Sequence, residues 1–152
     1  MNNLFSSYED DYLYKNDIDS KKIRKLDLSG WDTSSVIDMN GMFYGCESLE
    51  KLDLSGWDTS NVIDMTHMFG NCESLKALDI SSWNTSKVCY ISYMFENCES
   101  LEELDLSGWD TSSITNMAWV FEGCDKLIVP DWYIKRLTES KFNFNPVDYS
   151  DE

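Results

Sequence analysis

The string Leu26-Asp27-Leu28-Ser29-Gly30-Trp31-Asp32-Thr33-Ser34 returns three times, each time 26 residues further on. It reappears as Leu52 to Ser60, as Leu78-Asp79-Ile80-Ser81-Ser82-Trp83-Asn84-Thr85-Ser86, and as Leu104 to Ser112. A fixed period of this length marks a stack of similar coils, each burying its apolar side against its neighbours. The fold class expected is therefore an α/β solenoid. Such stacks mostly present surfaces, so the repeat also points toward binding rather than chemistry.

One copy with its lead-in gives the local reading. Leu49, Leu52 and Leu54 have the L-x-x-L-x-L spacing of a leucine-rich repeat. Lys51-Leu52-Asp53-Leu54-Ser55 alternates polar and apolar, as a short half-buried strand does, with Leu52 and Leu54 inward. Asp58, Thr59 and Ser60 are helix N-cap types, and Val62, Met65, Met68 and Phe69 follow at helical spacing. The expected coil is strand, turn, short helix, return. Four such coils span 26–129, with their strands side by side in one parallel sheet. Residues 1–25 are expected to form an N-terminal cap. Pro130 cannot donate to a strand ladder, so the sheet should stop there. Asp131 to Leu137 reads as a capping helix, and 130–152 as that helix plus an acidic tail.

Charge divides unevenly. Residues 26–127 hold 18 acids against 4 bases, a balance of −14, while residues 1–25 are neutral. That field repels nucleic acid and anionic membrane and attracts basic partners. The five cysteines, four of them in register at Cys46, Cys72, Cys98 and Cys124, argue against a disulfide framework. One thiol per coil also lacks the C-x-x-C pairing of zinc sites. No cofactor or metal is expected. The first residues lack a signal-peptide pattern and no apolar run approaches a membrane span. The chain as written reads as cytoplasmic, or as extracellular or surface-attached if a leader has been removed.

The pattern L-D-L-S-G-W-D-T-S-x-V-x-x-M-x-x-M-F-x-x-C-x-S-L, over about residues 23–128, resembles the BspA-like class of leucine-rich repeats. That class occurs in many bacterial surface proteins and some protist ones. The resemblance implies a non-catalytic solenoid that binds proteins or host surfaces, and it brings no catalytic residues.

Comparing the four copies separates scaffold from surface. The tryptophans Trp31, Trp57, Trp83 and Trp109 are expected in the core, as is the cysteine column. Asp27, Asp53, Asp79 and Asp105 should face out of the sheet, one per strand, close enough to raise some of their pKa values or to hold a cation. Three readings stand for them: a solvated stripe, a docking stripe for a basic partner, or a calcium site. Calcium prefers a bent loop to a flat row. The variable columns bring Tyr90, Tyr93 and Trp119 together. They form an exposed interaction patch or pack under the C-terminal cap.

No phosphate loop, metalloprotease or nucleophile-elbow motif is present, and the single histidine, His67, lies in a variable column. The function expected is protein binding through the acidic surface, with Asp27, Asp53, Asp79, Asp105, Tyr90, Tyr93 and Trp119 as the contact residues. The alternative is an acidic nucleic-acid mimic that inhibits a nucleic-acid-binding enzyme, such as a phage-encoded inhibitor of a host defence nuclease. In either case the partner is a protein with a basic surface, with no membrane and no direct nucleic-acid contact; self-association stays open.

Overall fold

The computed structural model describes residues 20–139. The N-terminal cap up to residue 19 and the acidic tail fall outside them. A one-turn 3-10 segment, Ser20–Lys22, leads into strand β1, Lys25–Asp27. Strands β2 (Lys51–Asp53), β3 (Ala77–Asp79) and β4 (Glu103–Asp105) follow. Each is a leucine between two exposed residues. β1 pairs with β2 in parallel, Leu26 opposite Leu52 and Asp27 opposite Asp53. β3 pairs with β4 in the same register, Leu78 opposite Leu104 and Asp79 opposite Asp105. Residues 26 apart thus lie side by side, and the sequence period is a spatial one.

The helix expected after Asp58-Thr59-Ser60 does not form. The amides of Met65, His67, Phe69 and Asn71 donate instead to the carbonyls of Tyr90, Ser92, Met94 and Glu96 in the next coil, at 2.9, 3.0, 2.9 and 2.7 Å. Within the coil, short turns close from Met68 to Met65, Gly70 to His67 and Cys72 to Phe69. Positive φ at His67 (54°) and Asn71 (57°) is incompatible with a right-handed helix. The reason is competition. Two turns of helix are too short to propagate well, and the next coil offers each alternate amide a carbonyl. Consecutive turns also place every third or fourth side chain inward, so an apolar spacing of three and four does not distinguish them from a helix. Parallel bridges Asp38–Asp64, Asp64–Tyr90 and Tyr90–Asn116 extend this turn ladder through all four copies.

The core lies between the strands and the turn ladder. Phe43, Phe69, Phe95 and Phe121 form a column of near-parallel rings with centroids 5.5, 5.3 and 5.7 Å apart. Trp57 and Trp83 are buried, while Trp31 and Trp109 pack at its margin. The thiols of Cys72, Cys98 and Cys124 reach the carbonyls of Phe43, Phe69 and Phe95 one coil back. Burial pushes the Cys46 thiol up to about 12, as expected of a residue acting as a small hydrophobe.

The single four-stranded sheet expected is divided into two pairs, β1–β2 and β3–β4. Glu50 and Lys51 donate to the Arg24 carbonyl, and Glu102 and Glu103 to that of Lys76. The indole of Trp57 donates to Leu28, and that of Trp109 to Ile80. Among the described residues neither kind of bond forms between β2 and β3. The cause is one side chain. A Cβ added to Gly56 would lie 2.0 Å from the Ser29 carbonyl oxygen, and one added to Gly108 would lie 2.2 Å from that of Ser81. Tight stacking requires glycine here, and the third copy has Ser82. Its Cβ holds the coils apart, leaving a cleft of about 360 Å³ lined by residues that include Leu52, Leu54, Asp79 and Ser82.

Past Pro130, helix α1 (Asp131–Thr138) closes the last coil. Tyr133 is buried edge-on against Phe121 at 5.0 Å. Arg136 donates to the carbonyls of Thr111 and Ile114 at 2.6 and 2.9 Å, meeting acceptors at the end of the stack.

Candidate functional site

The strand aspartates are built by local chemistry. Asp27 accepts from the Ser29 amide and hydroxyl at 3.1 and 2.7 Å. Asp79 does the same with Ser81 at 3.1 and 2.7 Å. Asp53 accepts from the Ser55 amide, and Asp105 from that of Ser107. These are Asx turns, which satisfy the carboxylate within its own coil. At Asp27 and Asp105 they act against the rise expected from crowding. The serine hydroxyl and amide hold Asp27 and Asp105 below the ordinary aspartate value, because hydrogen bonds to the charged form favour it. A second row, Asp32, Asp58 and Asp110, is held down in the same way by Ser34, Ser60 and Ser112. Among the described residues no group of three or more His, Cys, Asp or Glu could hold a metal ion.

Tyr90, Tyr93 and Trp119 belong to the turn ladder, not to the strands. Tyr90 is 43% exposed, whereas Tyr93 and Trp119 are half-buried. Tyr93 donates its amide to Ala118, beside Trp119, so the two aromatics occupy successive coils. In the cap, Tyr133 meets Phe121 edge-on. His67, the single histidine, stacks on Tyr93 at 4.6 Å and 4°. Tyr44 meets the other side of this cluster, edge-on to His67 at 5.6 Å. Glu96 lies 3.8 Å from His67 Nδ1. Burial and the nearby Glu122 hold the Glu96 carboxyl above its ordinary value. Ile37 (58% exposed) and Ile63 (39%) each precede an aspartate of the ladder column that Tyr90 joins, Asp38 and Asp64.

Tyr93 is used in packing, through its stack on His67, but the repeat geometry favours other residues at these positions. Asp38 and Asp64 each accept the amide two residues on, at 2.8 Å. Tyr90 holds the equivalent position in the third coil and a phenol ring gives up that bond. His67, Tyr93 and Trp119 all have φ between 54° and 59°, where the first copy has Gly41. Left-handed backbone costs a bulky residue roughly 1–2 kcal/mol. The neighbouring left-handed column is filled by Gly45, Asn71, Asn97 and Gly123, residues that tolerate it. Gly41 in the variable column was the sequence signal for His67. The distinction between strained and permissive columns needed the backbone angles.

A family model described as "Mycoplasma protein of unknown function, DUF285" matches residues 1–132. The chain belongs to the DUF285 family. The match covers all four copies of this DUF285 chain and reaches the first turn of α1. No curated protein and no solved structure matches it significantly. No helix among the described residues is long and apolar enough to cross a membrane.

Proposed function

We propose that this DUF285 chain is a non-catalytic protein-binding module. In this reading it is a short solenoid of BspA-like leucine-rich repeats whose acidic surface receives a basic protein partner. The observation that carries it is the pair of aspartate rows, positioned coil by coil by hydrogen bonds from the serine two residues on. Ordered charge of one sign speeds association with a complementary surface and penalises like-charged competitors. The balance of −14 over residues 26–127 supplies the sign.

The test begins with capture of a partner from the native host on the immobilised chain, followed by direct binding with purified components. Replacing Asp27, Asp53, Asp79 and Asp105 together by asparagine should weaken binding at least tenfold and reduce its salt dependence. Binding unchanged by that substitution would reject the acidic rows as the contact. Turnover of a small-molecule substrate by the pure chain would reject the reading altogether.

The regular row also favours a second reading, the nucleic-acid mimic. Within each strand pair the aspartates lie ~4.8 Å apart, giving two short lines of negative charge, Asp27–Asp53 and Asp79–Asp105. Under this reading the captured partner binds DNA or RNA, and the chain competes with it for one site. A partner that binds the chain and duplex DNA simultaneously would exclude mimicry while leaving protein binding intact.

A further inference from the structure

We infer that the cleft between β2 and β3 receives a lysine side chain of the partner, with its ammonium held between Asp53 and Asp79. This rests on the protein-binding reading and names the group that the acidic surface recognises.

Three observations carry it. First, the cleft is a cavity of ligand size with two kinds of wall. Its volume of about 360 Å³ falls within the roughly 300–1,000 Å³ of small-ligand sites. Leu26, Leu52 and Leu54 give it an apolar wall, and the exposed Asp53 and Asp79 face it from different strands. Second, a hydrogen bond made at the other junctions is unmade here. Trp57 and Trp109 donate their indole N–H groups to the coil before, to Leu28 and Ile80. Trp83, next in the chain to the cleft residue Ser82, is only 2% exposed. Its indole N–H meets no acceptor among the described residues and is not sealed from solvent. The counterpart acceptor is the Leu54 carbonyl, and Leu54 lines the cleft. Third, the sheet is divided at this junction, so no ladder draws Asp53 and Asp79 to the ~4.8 Å of a paired row. Room for a cation opens between them.

The carboxylates suit a compact cation. Asp53 gives one oxygen to the Ser55 amide, and Asp79 gives one to the amide and hydroxyl of Ser81. Each keeps its second oxygen, and the two lie on different coils. Ammonium carries three diverging donors and can meet both. The planar fork of guanidinium matches two oxygens of a single carboxylate, and neither aspartate has both to give. An aliphatic stem then covers the leucines while its charged head stays at the aspartates. The backbone amide of the same residue supplies an acceptor for the Trp83 indole and a donor for the Leu54 carbonyl, which a free amine lacks. Lys51 also lines the cleft, and its like charge lowers the affinity for an incoming ammonium.

The test titrates the full chain with Nα-acetyl-lysine N-methylamide at low ionic strength, followed by NMR. The norleucine and arginine counterparts and n-butylamine serve as comparisons. The lysine compound should shift the Trp83 indole resonance and bind about tenfold more tightly than each of the other three. Asp53→Asn and Asp79→Asn should each weaken it about tenfold, while Asp125→Asn, the loss of an exposed charge in the last coil, should not. Lys51→Gln should tighten it. Ser82→Gly closes the junction but keeps every carboxylate, so it should abolish binding of the lysine compound. Equal affinity for the lysine and norleucine compounds overturns the proposal, and butylamine binding as tightly as the lysine compound overturns the assignment to a partner residue. Undiminished lysine binding in Ser82→Gly, or an equal loss in Asp125→Asn and Asp53→Asn, also overturns the cleft while leaving the acidic-surface reading standing. That reading fails separately, if the chain with all four strand aspartates replaced still captures its partner.

Discussion

Gly56 sits so close to Ser29 that a Cβ on it would lie 2.0 Å from the serine carbonyl oxygen. The corresponding position of the third copy is Ser82, and there the sheet is divided. One atom in one repeat decides whether two strands pair.

Ser82→Gly is therefore expected to close the β2–β3 junction. Backbone bonds from Lys76 or Ala77 to Glu50, and an indole bond from Trp83 to Leu54, become available, each worth ~1 kcal/mol. Glycine's extra unfolded-state freedom offsets part of this, about 0.5–1 kcal/mol. The net gain should be about 1 kcal/mol in denaturant unfolding, with slower amide exchange at Lys76 and Ala77. Gly108→Ala should have the opposite effect and open β3–β4. Unchanged exchange in both variants would show that the division has another origin.

Arg136→Met should destabilise the chain by about 2 kcal/mol. The guanidinium donates to both Thr111 and Ile114, and hydrogen bonds to charged donors are the stronger kind. The loss should appear as a lower melting temperature, with early exchange in the fourth coil. Arg136→Lys should not restore it, since an ammonium cannot match the planar fork. Full rescue by lysine would mean that only the charge matters.

The pH dependence has a definite sign. Asp27, Asp32, Asp58, Asp105 and Asp110 have folded pKa values below the ordinary aspartate value of 3.8. The unfolded chain therefore takes up protons first as pH falls, so their stabilisation is complete above 3.8 and is lost as pH drops through the folded values. Ser29→Ala and Ser112→Ala should raise the pKa of Asp27 and of Asp110, read by carboxyl carbon NMR. His67 acts higher in the range. Burial holds its pKa below 6.5 despite the opposing Asp64, so folding disfavours its protonation and stability falls as pH drops below 6.5. His67→Gly should remove that slope from the melting curve.

Thiol reactivity should separate the cysteines. Cys46, Cys72, Cys98 and Cys124 are buried, whereas Cys89 is half-buried on the turn ladder. A thiol reagent at mildly alkaline pH should modify Cys89 in the native chain and the other four only on unfolding. Fast native labelling of Cys72 would contradict its place beneath Phe43.

Much of the scaffold was legible from sequence because it repeats. The 26-residue period foretold the register of Leu26 on Leu52 and of Leu78 on Leu104, and the alternation of Lys51 to Ser55 foretold which leucines face inward. The same reading failed at Val62 to Phe69. Apolar spacing of three and four is common to a helix and to a run of inward-pointing turns, and the deciding bonds run to residues 25 positions away. It also failed at Asp27 and Asp105. Proximity between strands was visible in the period, but the serine two residues on from each aspartate captures its carboxylate first.

By itself, then, the sequence determined the stacking period, the identity of the core columns and the sign of the surface field. These depend on hydrophobic pattern and composition, which every copy states locally. Only the tertiary structure decided that the coils are joined by a turn ladder, that Ser82 divides the sheet, and that His67, Tyr93 and Trp119 stand on a left-handed backbone column. Each of those depends on what the neighbouring coil offers at hydrogen-bonding distance, and a repeat read one copy at a time does not contain its neighbour.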